Sequence, residues 1–313
     1  MTHDPGERRS TKTISTDFRT LQPQQSAQLR VLDIRTGESD LLLSSDRQLF
    51  EAPNWHPSGK WIVVNAEGHL FRVSSSGGTA LEAIHATGLP ELNNDHLISP
   101  DGAWNYVSAQ DGHIWRLPWD GGHSERVSVG KNADRQFRHY LHGLSPNGES
   151  LAFVGTETLG RDPAGTRSLW IRNMRTGSER TVGGGFSPAD GPEFSPDGTW
   201  LYFNSEIKST TAGHAQIFRS DLGGGHLEQL SFDERVNWFP HIAPDNAHLA
   251  YLSFPVGTLG HPPDREVVIR LLDQETHRTQ DLIQLNGGQG SFNVNSWSPD
   301  STKLAYVAYP FTG

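Results

Sequence analysis

The stretch Asp190-Gly-Pro-Glu-Phe-Ser-Pro-Asp-Gly-Thr-Trp-Leu-Tyr-Phe-Asn-Ser205 decides the fold. It reads as a short strand, a tight turn at Ser195-Pro196-Asp197-Gly198, and a second strand over Trp200 to Asn204. Proline presets φ at the second turn position, aspartate hydrogen-bonds the nearby backbone, and glycine takes the left-handed residue that closes the hairpin. The device recurs at His56-Pro57-Ser58-Gly59, Ser99-Pro100-Asp101-Gly102, Ser145-Pro146-Asn147-Gly148, Ala243-Pro244-Asp245-Asn246 and Ser298-Pro299-Asp300-Ser301. The turn prolines stand 43, 46, 50, 48 and 55 residues apart. A period of that size marks a repeat architecture, and four-stranded units of it predict an all-β propeller.

Five units carry all four strands. An apolar strand follows each turn, such as Trp61-Ile-Val-Val64 or Leu151-Ala-Phe-Val154. A third strand follows, such as His113-Ile-Trp-Arg-Leu117, and then a glycine-rich or polar turn and a fourth. The last unit, Asn293 to Tyr309, has only two strands, and the segment Leu29 to Leu43 supplies two more. Together they complete a sixth blade, so the spacing predicts six blades of four antiparallel strands, the last closed by N-terminal and C-terminal strands together. That closure removes the open sheet edge at the ring seam. Residues 1–26 are polar and without periodicity, and read as a loose extension. Residues 27–313 read as a single propeller.

Composition narrows the function classes. The formal charge of −10 argues against a nucleic-acid surface, which needs a basic face. With no cysteine, disulfides, thiolate metal sites and a cysteine nucleophile are excluded. No apolar run approaches the ~20 residues of a membrane helix, and no secretory signal is evident, so a cytoplasmic protein without membrane contact is expected. Serine-hydrolase, zincin and nucleotide-hydrolase motifs are absent.

Chemistry is expected where the first strands of the blades converge on the axis. Counting back from each turn proline places His96, His142, Glu193, His241, Asn94, Asp95, Tyr140, Asp190, Asn237, Trp238 and Asn293 around the channel. Oxygen and imidazole donors on separate rigid strands suit a polyhydroxylated ligand or a divalent cation. On that reading His96, His142 and His241 are candidate ligands for a divalent metal (Mn, Ca or Zn). Asn94, Asp95, Asp190, Glu193, Asn237, Asn293 and Trp238, the last by stacking, are candidate ligand-binding groups. Two insertions add candidates: Phe254 to Arg265 brings His261, and Gly287-Gly288-Gln289-Gly290 brings Gln289. A third insertion, Glu157 to Arg167, is a candidate binding loop. The bland alternative is a wet channel whose polar groups bind only water. Arg72, Arg116, Arg172, Arg219 and Arg270 recur once per blade, which favours a structural role. Trp61, Trp104, Trp170 and Trp200 read as inter-blade core.

The units FSPDGTWLYFNSE (194–206) and QIFRSDLGGGHLEQLSF (216–232) resemble the WD40-like (PD40) repeats of TolB-type propellers, over roughly residues 27–310. A more distant resemblance is to oligogalacturonate lyases, propellers that use a histidine-held divalent metal. Three readings follow. The chain binds a small polar molecule or oligosaccharide, a divalent metal, or both, at the channel mouth. Alternatively it is a metal-assisted oligouronate-type lyase, with His142, His241 and Tyr140 as the groups that move protons. Alternatively it is a scaffold for a protein partner.

Overall fold

Each inner hairpin closes on a turn that satisfies its own polar groups. Ser195 Oγ donates to Asp197 Oδ1 at 2.5 Å and accepts from Trp200 N at 2.9 Å, while Asp197 also accepts from Thr199 N at 3.0 Å. The same pattern recurs at Ser99 and Asp101, at Ser145 and Asn147, and at Ser298 and Asp300. The serine hydroxyl, reinforced by backbone N–H groups, holds the carboxyls of Asp101, Asp197 and Asp300 below their ordinary value. Gly198 closes its turn at φ 73°, a conformation open to glycine without steric cost. In the first blade His56 replaces the serine. Its Nδ1 pairs with Ser58 Oγ, and its Nε2 reaches Gly102 O of the next blade at 3.1 Å.

The structure is a computed structural model that describes residues 18–130, 137–157, 166–184 and 186–311. Most of the insertion after Glu157, with Gly160-Arg161-Asp162-Pro163, and residues 1–17 lie outside the described residues. The chain is an all-β propeller of six blades, with no helix among the described residues. Blades one to five each form an antiparallel four-stranded sheet. Their inner strands are Glu51–Trp55, Leu92–Ile98, Arg138–Leu144, Ala189–Phe194 and Val236–Ile242. In the sixth blade Ala27–Asp33 lies between Ser39–Ser45 and Lys303–Ala308, antiparallel to both, with Leu29 opposite Val307 and Leu43. The inner position is held by an irregular segment bridged at Trp297 and Leu304. The two ends of the polypeptide therefore share one sheet.

Two details were not foreseen. All five inner strands carry a register shift. In three of them the residue just before a proline, Ala52, Gly191 or Phe239, takes a left-handed φ of 54°, 60° or 56°. Such bulges re-aim side chains at the axis. A two-residue parallel pairing also joins Ala86–Thr87 to Gly122–His123, tying blade one to blade two.

The repeated arginines form a ladder across the outer strands. Arg219 bridges to Glu228 at 2.7 Å and lies 4.6 Å over the Trp200 ring, and Arg116 does the same with Glu125 and Trp104. Trp61, Trp104 and Trp200 are half-buried platforms beneath guanidinium groups, with Trp104 and Trp200 also packed against the core. The core proper is aliphatic and Phe/Tyr-rich, with Phe153, Phe203, Tyr202, Tyr251 and Tyr306 among its largest buried side chains.

Candidate functional site

Two cavities open along the axis, one at each end of the inner strands. The cavity at the turn end, about 360 Å³, is ringed by the six turn prolines with Trp55, Phe194 and Trp297. The cavity at the strand-entry end, about 320 Å³, is lined by Asn93, Asn94, Asp95, Tyr140, His142, Thr156, Arg167, Asp190, Phe239, His261, Gln289 and Asn293, with Val154 behind. Eight residues singled out from the sequence meet here: Asn94, Asp95, Tyr140, His142, Asp190, His261, Gln289 and Asn293. His142 is the side chain common to both cavities.

The second cavity is built on a chain of alternating charge. Arg167 Nη1 lies 3.6 Å from Asp190 Oδ2, and His142 Nε2 lies 3.3 Å from Asp190 Oδ1. Asp95 faces His142 from the neighbouring blade, its carboxylate braced by Asn93 Nδ2 at 2.9 Å. Burial pulls the His142 imidazole down, but Asp95, Asp190 and Glu193 overcome it and hold it above its ordinary value. Burial also pushes on Asp190, which the hydrogen bond and charge of His142 nevertheless hold low. Asp95 is pushed up to about 6 by burial, against His142 and with Asp190. His142 is thus held between two carboxylates that favour its protonated form.

Opposite this chain stands His261, carried inward by its long loop. Its ring packs 4.5 Å from Trp238 and 5.0 Å from Phe239. Gly290 N donates to Asn293 Oδ1 at 2.7 Å, so the Asn293 amide nitrogen is the group that donates to Gln289 Oε1 at 3.2 Å. Gln289 Oε1 is then an acceptor, and His261 Nδ1 must donate to it. Burial lowers the His261 pKa, which keeps the ring neutral. No described residue donates to its Nε2.

Of the other residues expected at the channel, Glu193 lines the turn-end cavity, whereas His96, His241, Asn237 and Trp238 line neither. His96 is fully buried in its strand, and burial drops it to about 4 against a raising contact with the Val63 backbone. His241 and Glu193 form a waist between the cavities. His241 Nδ1 meets Glu193 Oε2 at 2.7 Å and its Nε2 lies 3.1 Å from Phe292 O. Asn237 is fully buried and bonded to Gln216, Ser231, Asp233 and Ser253, away from both cavities. Trp238 is buried behind His261 and lines neither main cavity. His96, His142 and His241 do not converge, and no group of three His, Asp or Glu among the described residues is placed to hold a metal ion.

Arg167 and Phe239 line the cavity but were not singled out from the sequence. Arg19 was missed as well, since residues 1–26 read as loose. Its guanidinium lies 4.1 Å over Tyr309, pairs with Asp264 at 2.7 Å and Glu51 at 3.3 Å, and donates to Gln289 O at 2.8 Å. Gln22 and Gln25 also donate to Asp264. This arm therefore pins both the loop of His261 and the backbone of Gln289.

No family model matches the chain. It is 33% identical over 285 residues to the uncharacterized protein Atu1656 of Agrobacterium fabrum, covering 90% of this chain and 92% of that one. A solved structure from Agrobacterium tumefaciens, provisionally described as TolB, matches with a TM-score of 0.82 at 32% identity, over 92% of this chain and 99% of that one. The chain belongs to the TolB-like β-propellers. An oligogalacturonate lyase in complex with manganese shares the fold at 11% identity, with a TM-score of 0.53 over 82% of this chain and 72% of that one.

For a TolB-like propeller the chemistry on offer at this mouth is recognition by paired charges and fixed amides. Acceptors (Asp95, Asp190, His261 Nε2) and donors (Arg167, His142, the Tyr140 hydroxyl) come from four rigid blades. The Phe239 ring supplies an apolar face.

Proposed function

We propose that this TolB-like propeller binds a small, polar, carbohydrate-like molecule in the cavity at the strand-entry mouth. The observation that carries the reading is the 320 Å³ cavity itself, which joins the Arg167–Asp190–His142–Asp95 chain to His261, Asn94 and Phe239. Ligand cavities run from about 300 Å³ upward and combine an apolar wall with a few fixed polar groups. Hydroxyl-rich molecules need alternating donors and acceptors, which this wall supplies. The repeated Ser-Pro-Asp-Gly turns support placing the blades among PD40 repeats.

Thermal unfolding in the presence of glucose, galactose, glucosamine and galacturonate tests the reading. At 100-fold excess over Kd, binding adds about 2.7 kcal/mol, which raises Tm by several degrees for a chain of this size. At least one sugar is expected to give a saturable rise that Asp190→Asn abolishes. No rise with any sugar, or the same rise in the variant, overturns the reading. Incubation with oligogalacturonide, with and without added manganese, asks separately whether turnover accompanies binding.

A further inference from the structure

We propose that the occupant of this cavity carries an ammonium group, as an amino sugar does, which seats against Asp95 within a wall of acceptors completed by His261 Nε2 and the Phe239 ring. The inference rests on the binding reading above and names its ligand class.

The unsatisfied polar atoms point this way. One oxygen of Asp95 takes Asn93 Nδ2, and no described residue donates to the other, although the side chain is nearly buried and faces the cavity. That oxygen is open to a donor from the cavity side. His261 offers a second bare acceptor. Its tautomer is dictated by the chain Gly290 N to Asn293 to Gln289 to His261, so Nε2 carries no proton. Two acceptors of fixed orientation select a ligand rich in N–H and O–H donors.

Charge agrees with geometry. In the inner part of the cavity two carboxylates, Asp95 and Asp190, flank one imidazole, His142, so acidic groups outnumber basic ones there. The cation Arg167 stands at the rim with its side chain 30% exposed, 3.6 Å from Asp190. A cation placed deep meets this acidic excess and balances it. The Phe239 ring, beside both His142 at 6.0 Å and His261 at 5.0 Å, adds an aromatic wall to the cavity. A carboxylate in the same place would face Asp95 and Asp190 at close quarters.

Calorimetric titration of the full chain at neutral pH with glucosamine, N-acetylglucosamine, glucose and galacturonate separates the possibilities. Glucosamine is expected to bind at least about tenfold more tightly than glucose or N-acetylglucosamine, as a charge-assisted hydrogen bond would give. Asp95→Asn is expected to erase that preference. Arg167→Gln, at the half-exposed rim, is expected to tighten glucosamine by about threefold through loss of a like charge, and serves as the second test if Asp95→Asn does not fold. Equal affinity for glucose and glucosamine, or a preference for galacturonate, overturns the ammonium inference and leaves the binding reading standing. No binding by any of the four overturns both.

Discussion

Replacing Glu193 with alanine is expected to destabilise the propeller by about 3–5 kcal/mol, the largest effect of any single change at the channel. The carboxylate is nearly buried and accepts three hydrogen bonds: His241 Nδ1 at 2.7 Å, Ile242 N at 3.0 Å and Asn295 Nδ2 at 2.6 Å. Those donors come from blades five and six, whereas Glu193 belongs to blade four. Asn295 O accepts in turn from Asn54 Nδ2 of blade one at 2.5 Å. Truncation strands two buried donors, His241 Nδ1 and Ile242 N, while Asn295 Nδ2 keeps only Ile242 O at 3.1 Å. Glu193→Gln keeps the shape and one acceptor, so its cost is expected to fall between wild type and alanine. Denaturant melts of the three proteins check the order. An alanine variant within 1 kcal/mol of wild type would mean that water replaces the carboxylate and that the waist is not a structural belt.

Glu51→Gln is expected to stabilise the protein, and only at higher pH. Glu51 has a side chain 13% exposed. Burial pushes its carboxyl up to about 7 from an ordinary 4.5, with Arg19 opposing and Asp95 and Asp264 assisting. The folded state therefore holds this proton more tightly than the unfolded chain does. Its contribution to stability is fully present below pH 4.5 and is lost as pH rises to about 7. Above that the buried charge costs about 3 kcal/mol, at about 1.4 kcal/mol per pH unit. Glutamine retains an acceptor for Arg19 and carries no charge to bury. The Tm difference between variant and wild type should be near zero at pH 4.5, grow through pH 7 and then level. The wild-type curve alone is not diagnostic, because His96, held down at about 4, contributes stability that is lost as pH falls, the opposite slope. A Gln variant less stable than wild type at pH 8 would show that the ion pair with Arg19 outweighs burial.

The fold was legible because its information is local. Each Ser-Pro-Asp-Gly unit specifies its own turn through contacts of five residues or fewer, and the missing half-blades at the two ends of the repeat array announced their union. The site was legible in part. Asp95, His142 and Asp190 lie one or two residues apart along equivalent strands, so counting back from the proline found all three. The count failed at Asn237, which lies one residue further from its turn proline than Asp190 does and is bonded inside its blade, while Phe239, at the same offset from its proline as Asp95, reaches the cavity unnoticed. Glu193 and His241 were read as site groups because their mutual hydrogen bond crosses blades and leaves no trace in spacing. Arg19 and Arg167 were missed for a related reason. Their roles depend on where an arm and a loop come to rest, which a repeat pattern does not encode.

The account stands on which end of the channel does the binding. Thr156 lines the strand-entry cavity without carrying charge, and Ile98 lines the proline-ringed cavity at the other end. Thr156→Trp and Ile98→Trp each fill one of them. Thermal stabilisation of both variants by the sugar that stabilises wild type is the decisive measurement. Loss in Thr156→Trp with retention in Ile98→Trp is the predicted result, and retention in Thr156→Trp with loss in Ile98→Trp would contradict it.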